Sequence, residues 1–306
     1  MIKFTEHKNI NKQKWDACIA KSVNASVFAY SWYLDAVSAD WDALICDDYE
    51  AVFPIVSRSK YKIQYIYQPF FTRYFGVFSK KKITEQLVDE FLAAIPEKYK
   101  FMEFCLNEQN PAKAKGFETK ERKYQLLGLD EQYETLQKRY SENAKRNVKK
   151  AIKGNLKIRP DIAPEKIVSL FKETKGGELE IFKPSDYKAL VQLMDICIER
   201  KAGQSIAVYD GTTLCAAGFF MFSNNRFTFL KSGVTEEGKS KGAMHLLFDY
   251  FIRENSGKRY ELDFGGSSVD SVARFYKNFG AKDCVYLQLK KSRLPAIVKW
   301  VKSLKK

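Results

Sequence analysis

The chain has 306 residues, 45% of them hydrophobic, and a formal net charge of +15. That length suits two domains, and that much apolar material excludes a disordered tail. No stretch approaches the ~18 uninterrupted apolar residues of a membrane-spanning helix; the longest apolar run is Leu214 to Phe222.

In the first half, Ala43 to Cys46 and Ala51 to Arg58 alternate as strands and read as a hairpin turning at Asp47-Asp48. Lys62 to Tyr67 follows as a third strand, and Gln68-Pro69 breaks the pattern. An amphipathic helix over about Lys82 to Ala94 then leads to the strand Phe101 to Leu106. A helical stretch over Glu131 to Lys153 carries Leu136, Tyr140, Ala144, Val148 and Ala151 at near four-residue steps, with Gly154-Asn155 as its stop. The second half repeats the earlier order. Ser205 to Tyr209 and Thr213 to Phe222 form a hairpin turning at Asp210-Gly211, and Arg226 to Lys231 is the third strand. A helix from about Lys241 to Glu254 leads to the strand Tyr260 to Phe264. Hairpin, strand, helix, strand occurs twice, and a helix between the last two strands implies a right-handed parallel crossover. The expected class is α/β, with mixed central sheets flanked by helices, in two domains spanning 1–130 and 131–306.

The N-terminus, MIKFTEHK, is charged from its third residue and has no apolar signal-peptide core, so the expected compartment is the cytoplasm. Six cysteines stand singly with no CxxC, as reduced core thiols do. His7 and His245 are the only histidines, which excludes a Cys/His zinc centre and leaves no metal expected. Neither sits in a nucleophile motif, so a Ser-His-Asp triad is not expected either. The positive charge suits polyanions such as nucleic acid, anionic lipid or phosphorylated small molecules, and it is equally met by a generally lysine-rich surface.

Two stretches carry a family resemblance. SENAKRNVKKAIKG, Ser141 to Gly154, followed by the strand Leu156 to Arg159, resembles the opening of the second domain of Fem-type transferases. ELDFGG from Glu261, with VARFYKNFG from Val272 to Gly280, is similar to the "DF.G … FK..FG" signature of the same family and to a helix of ordinary GNAT acetyltransferases. The resemblance covers the C-terminal half by motif and the N-terminal half by layout alone. It implies tandem GNAT-like domains and acyl transfer, with an acyl-CoA such as acetyl-CoA, or an aminoacyl-tRNA, as donor.

The resemblance also implies roles. Tyr276 would protonate the leaving group, since a phenol of pKa ~10 can give its proton to a departing thiolate or alkoxide. Lys277 would stabilise developing negative charge, and Asp263 would orient the acceptor amine or take its proton. The donor phosphates would lie near Lys231, Gly238, Lys241, Gly242 and Ala243. That loop, EEGKSKGA from Glu236, keeps two glycines of the GNAT phosphate loop but has acidic residues in place of its leading Gln/Arg. Arg146 and Lys149 on the basic helix, and Arg73 with Tyr74 in the first half, would hold phosphate or substrate. Each residue also has a plain structural reading: Tyr276 in packing, Lys277 solvated, Asp263 capping a helix, the glycines in an empty loop, Arg146 and Lys149 on a solvated face, Arg73 and Tyr74 in an interface.

Three functions meet these features. The first is an N-acyltransferase using acyl-CoA, favoured by the lack of a long helical-hairpin insertion in the second half. The second is Fem-like transfer from aminoacyl-tRNA to a peptidoglycan precursor, favoured by the charge and by Lys277. The third is a non-catalytic module binding RNA or a membrane surface. The basic amphipathic tail, residues 293–306, would either touch anionic membrane or dock on the body.

Overall fold

The computed structural model describes residues 1–176, 182–266 and 270–294. The basic tail expected to be helical therefore lies outside the described residues from 295 onward. The chain packs as two units. One comprises Met1–Arg122 with the C-terminal stretch from Val285, and the other comprises Lys123–Cys284.

The first unit runs β1 (Ile2–Thr5), α1 (Lys12–Lys21), α2 (Ser31–Val37), β2 (Asp42–Cys46), β3 (Ala51–Ile55), β4 (Ser57–Lys60) and β5 (Ile63–Ile66). It continues through β6 (Phe78–Ser79), α3 (Glu85–Ala93), β7 (Tyr99–Cys105) and the start of β8 (Glu118–Gly128). Strands β1, β2, β3 and β6 pair antiparallel. The turn joining β2 to β3 uses Asp47 at φ 49°. Strand β5 pairs in parallel with β7, the crossover expected around the amphipathic helix. The core includes Trp15 and Trp41, both 0% exposed with rings 4.7 Å apart. Each indole N–H is satisfied, by the Ala29 carbonyl at 2.7 Å and the Asp35 carboxylate at 2.9 Å.

The second unit begins with α4 (Tyr133–Lys138) and α5 (Glu142–Lys153), then β9 (Lys157–Pro160), α6 (Pro164–Phe171), a π-helical turn (Lys172–Gly176) and α7 (Pro184–Glu199). Next come β10 (Gly203–Asp210), β11 (Thr213–Ser223), β12 (Arg226–Val234), α8 (Glu236–Lys241) and α9 (Ala243–Asn255). Finally β13 (Glu261–Gly266) and α10 (Asp270–Lys277) lead to β14 (Lys282–Ser292), whose later residues pair with β7 of the first unit. The order across the sheet is β8-β13-β12-β11-β10-β9. Only β12 and β13 run parallel, joined through α8 and α9.

Adjacent strand residues face opposite sides, and Phe219 and Phe220 show where the helices lie. Phe220 stacks on Phe251 of α9 at 3.8 Å. Phe219 and Cys197 of α7 crowd the space above Gly203, so α7 and α9 cover opposite faces. The expected single helix over 131–153 is two. The Ser141 side chain accepts the Ala144 N–H at 3.2 Å and starts α5 as its N-cap, which ends α4 before it. At its far end Asn155, at φ 57°, takes the left-handed position while Gly154 stays at φ −74°.

Candidate active site

Strands β12 and β13 are in register for three residues, Arg226 with Glu261, Phe227 with Leu262 and Thr228 with Asp263. Beyond Thr228 no pairing between them is found among the described residues, although β12 stays bonded to β11 as far as Val234. The cause is written into the register. Phe229 lies opposite Phe220 and Lys231 opposite Phe219, so Leu230 is an extra residue that bends β12 at the point of parting. Strand β13 bends too, because three steps from Asp263 to Gly266 match only two from Leu126 to Tyr124 on β8.

A cavity of about 280 Å³ opens beside this gap. Phe229 and Val234 of β12, His245 and Phe248 of α9, and Phe275 and Tyr276 of α10 form its mainly apolar wall. The hydroxyls of Thr174, Ser232 and Ser271 lie at its border. Tyr276 is half-buried, its ring 4.9 Å from Phe264 and 6.0 Å from Phe248. Helix α10 is fixed at its end by α5: the Ser141 N–H donates to the Asn278 carbonyl at 2.9 Å. Such a space suits one extended acyl-bearing chain with few polar atoms.

His245 was not among the residues singled out from the sequence, and a lone histidine gave no signal to find it by. Its ring packs on Phe275 at 4.8 Å, and its Nε2 is buried without a hydrogen-bond partner among the described residues. Burial pushes its pKa down to about 4. A base whose folded pKa lies below its unfolded value stabilises the fold fully above the unfolded value, ~6.5, and loses that contribution as pH falls toward 4. Chemical unfolding of the full chain at pH 7 and pH 4 should therefore show a loss of up to about 3 kcal/mol that His245→Asn does not share.

The remaining expected residues disperse. Lys277 is not a lining residue; its ammonium pairs with Asp283 at 2.5 Å, so it and Tyr276 do not share the opening. Asp283 also accepts from Gln125 at 3.0 Å, and that bond, then Lys277, holds its carboxyl below the usual range. Asp263 is 0% exposed, and its Oδ1 accepts the N–H of Gly265, which sits at φ 83°. It fastens the bend of β13. Lys231 lies on the α6 side with its ammonium 4.4 Å from the centre of Phe171 and 5.5 Å from Phe182. Burial pushes its pKa down to about 8, so part of it is neutral near physiological pH.

The segment expected to cradle donor phosphates is α8 and its C-cap, and both of its glycines pack on protein backbone. A Cβ on Gly238 would lie 2.3 Å from the Cys215 carbonyl oxygen, and one on Gly242 2.6 Å from that of Asn147. Gly242 is also left-handed at φ 77°. Ala243, next along, is 0% exposed. Lys241 pairs with Asp210 and, at 2.6 Å, with Glu237; these hydrogen bonds hold its pKa above the usual lysine range. Lys239 pairs with Glu236. The cavity fits the acyl-bearing arm of a coenzyme A. Arg146 and Lys149 are exposed on α5. In the first unit Tyr74 is 1% exposed and packed on Phe28 at 5.2 Å, so it belongs to the core and offers no stacking face. The Arg73 guanidinium lies 5.9 Å from Phe28 and 5.8 Å from Tyr74. Among the described residues no group of His, Cys, Asp and Glu could hold a metal ion.

Residues 138–278 match the family described as Acetyltransferase (GNAT) domain. No curated protein matches the sequence. In structure the chain is similar to FemX, with a TM-score of 0.64 and 13% identity over 91% of this chain and 96% of that one. It is also similar to a tandem GNAT protein from the clavulanic acid biosynthesis pathway, at 0.55 and 10% over 97% and 100%. L-PGS from Bacillus licheniformis gives 0.55 and 11% over 94% of each chain. At these identities the likeness is one of fold. Residues 138–278 thus match the acetyltransferase (GNAT) domain family, and the chain shares the fold of FemX and of the tandem GNAT protein.

Proposed function

We propose that the chain moves an acyl group from acyl-CoA to an amine acceptor, with the reaction centred in the gap between β12 and β13. The observation that carries this reading is the bulge at Leu230, where the strands part beside Tyr276. Backbone N–H groups of β12 freed from the β13 ladder are ready donors for a carbonyl oxygen, and their dipoles are fixed before reaction. The amine nitrogen attacks the acyl carbon, a C–N bond forms, and the C–S bond breaks. The departing sulfur takes the phenolic proton of Tyr276, the nitrogen sheds its surplus proton to solvent, and that proton balance restores the phenol.

A second donor has its own support. Both lysines of α8 are ion-paired with carboxylates, which favours a carrier with no pyrophosphate to hold there, and the 3′ aminoacyl ester of tRNA is such a carrier; its leaving atom is oxygen, and Tyr276 serves it in the same way. The acceptor would then be the amine of a peptidoglycan precursor, and the reaction would take place in the cytoplasm. The test is single-turnover transfer by the purified chain to a panel of amines, with acetyl-CoA and with charged tRNA in parallel. Product from the thioester alone supports the first reading, and product from tRNA alone the second. Salt-dependent RNA or vesicle binding with no product from either donor would leave a non-catalytic binding module and overturn both.

A further inference from the structure

Helix α8 offers a donor's phosphates no unpaired ammonium among the described residues. A donor whose acyl end enters the cavity drags its phosphates across the mouth, and the two lysines of α8 are already neutralised by Asp210, Glu236 and Glu237. Another part of the second unit meets that mouth. Asn147 of α5 lies against Gly242, between Lys239 of α8 and the first-turn residues Met244 and His245 of α9, all three of which line the cavity.

Helix α5 has two faces. Ala144, Val148 and Ala151 are buried in the unit's core. Asn143, Arg146, Asn147 and Lys150 recur at three- and four-residue steps and form one exposed edge, with Lys149 beside it. Within this edge the contacts are local: Arg146 Nη2 donates to Asn143 Oδ1 at 3.1 Å, and Asn147 Nδ2 donates to the same oxygen at 3.1 Å. Lys145 is held by Glu142 at 3.0 Å, yet Arg146, Lys149 and Lys150 have no carboxylate ion pair among the described residues. Three cations are thus carried by the helix that packs on Gly242, with the Asn143 amide holding the arginine.

We infer that this edge of α5, through Arg146, Lys149 and Lys150, binds the phosphates of the nucleotide-bearing donor. The inference rests on the acyl-transfer reading for its ligand. A guanidinium can grip a phosphate with two parallel N–H bonds, and the flanking ammonium groups add charge without geometric demand. The same chemistry is found in coenzyme A and in tRNA, so the probes must separate them: 3′,5′-ADP stands for the former and an acceptor-stem RNA minihelix ending in CCA for the latter.

Binding of both probes to the full chain would be followed against salt concentration. Wild type should bind at least one of them, and Arg146→Ala/Lys150→Ala should weaken that binding by about 10-fold or more, with a shallower salt slope by roughly 1–2 for the RNA. A control pair equal in charge, Lys157→Ala/Lys166→Ala, should stay within about 2-fold of wild type. Wild-type affinity in the α5 variant, an equal loss in the control, or failure of wild type to bind either probe would each overturn the inference. Turnover of Tyr276→Phe tests the underlying reading separately. Lost turnover there with unaltered α5 binding removes only the phosphate site. Weakened α5 binding with unaltered Tyr276→Phe turnover removes only the assigned acid.

Discussion

Tyr276→Phe should lower the turnover number by about 10²-fold or more and leave the donor's Michaelis constant within a few-fold, because general-acid assistance acts in the transition state. The change deletes one oxygen and keeps the ring. That ring meets Phe229, Phe248 and Phe264, so the wall of the cavity and the fold stay as they are. Steady-state kinetics with the donor identified by single turnover, together with a thermal melt, measure both quantities. Lys277→Ala is the contrast. Its ammonium pairs with Asp283 outside the lining, so turnover should fall less than about 10-fold, the expectation for an exposed ion pair removed away from the chemistry. A large loss in Lys277→Ala with none in Tyr276→Phe would reverse these roles.

Gly238 in α8 and Gly242 between α8 and α9 provide the other large effect. Gly242→Ala adds a left-handed alanine at about 1 kcal/mol and a contact with the Asn147 backbone that neither helix can relieve by a side-chain rotation. Gly238→Ala drives a methyl group at the Cys215 carbonyl. Each should cost roughly 3 kcal/mol and lower the melting temperature by about 5–10 °C, with or without donor. Glycines kept for close approach of a phosphate would behave otherwise: donor affinity would fall while the melting temperature of the free chain held.

These residues show what a sequence reveals and what it hides. Period-two alternation and the Asp210-Gly211 turn located the second-unit hairpin, which pairs Asp210 with Thr213 as a two-residue turn requires. The strand–helix–strand spacing located both parallel crossovers, because only that order reverses the chain twice. The break at Ser141 was hidden because the apolar stripe runs on across it, from Leu136 and Tyr140 to Ala144 and Val148. The bulge at Leu230 depends on which residue of β11 faces which residue of β12, and nothing local to Leu230 records that register. Gly238 and Gly242 looked like a phosphate loop since their partners, Cys215 and Asn147, are far away in sequence. His245 meets Phe275 only through the tertiary fold.

The parted strands should seat the donor's acyl end against Tyr276. A crystal structure of the full chain with an unreactive ketone analogue of acetyl-CoA, or with a minihelix carrying a 3′ amide-linked amino acid, tests it directly. The acyl end should lie between β12 and β13, with its leaving atom roughly 3–3.5 Å from the Tyr276 oxygen. A bound analogue whose acyl end sits elsewhere, with the gap empty and the phenol facing only its aromatic neighbours, would contradict the account.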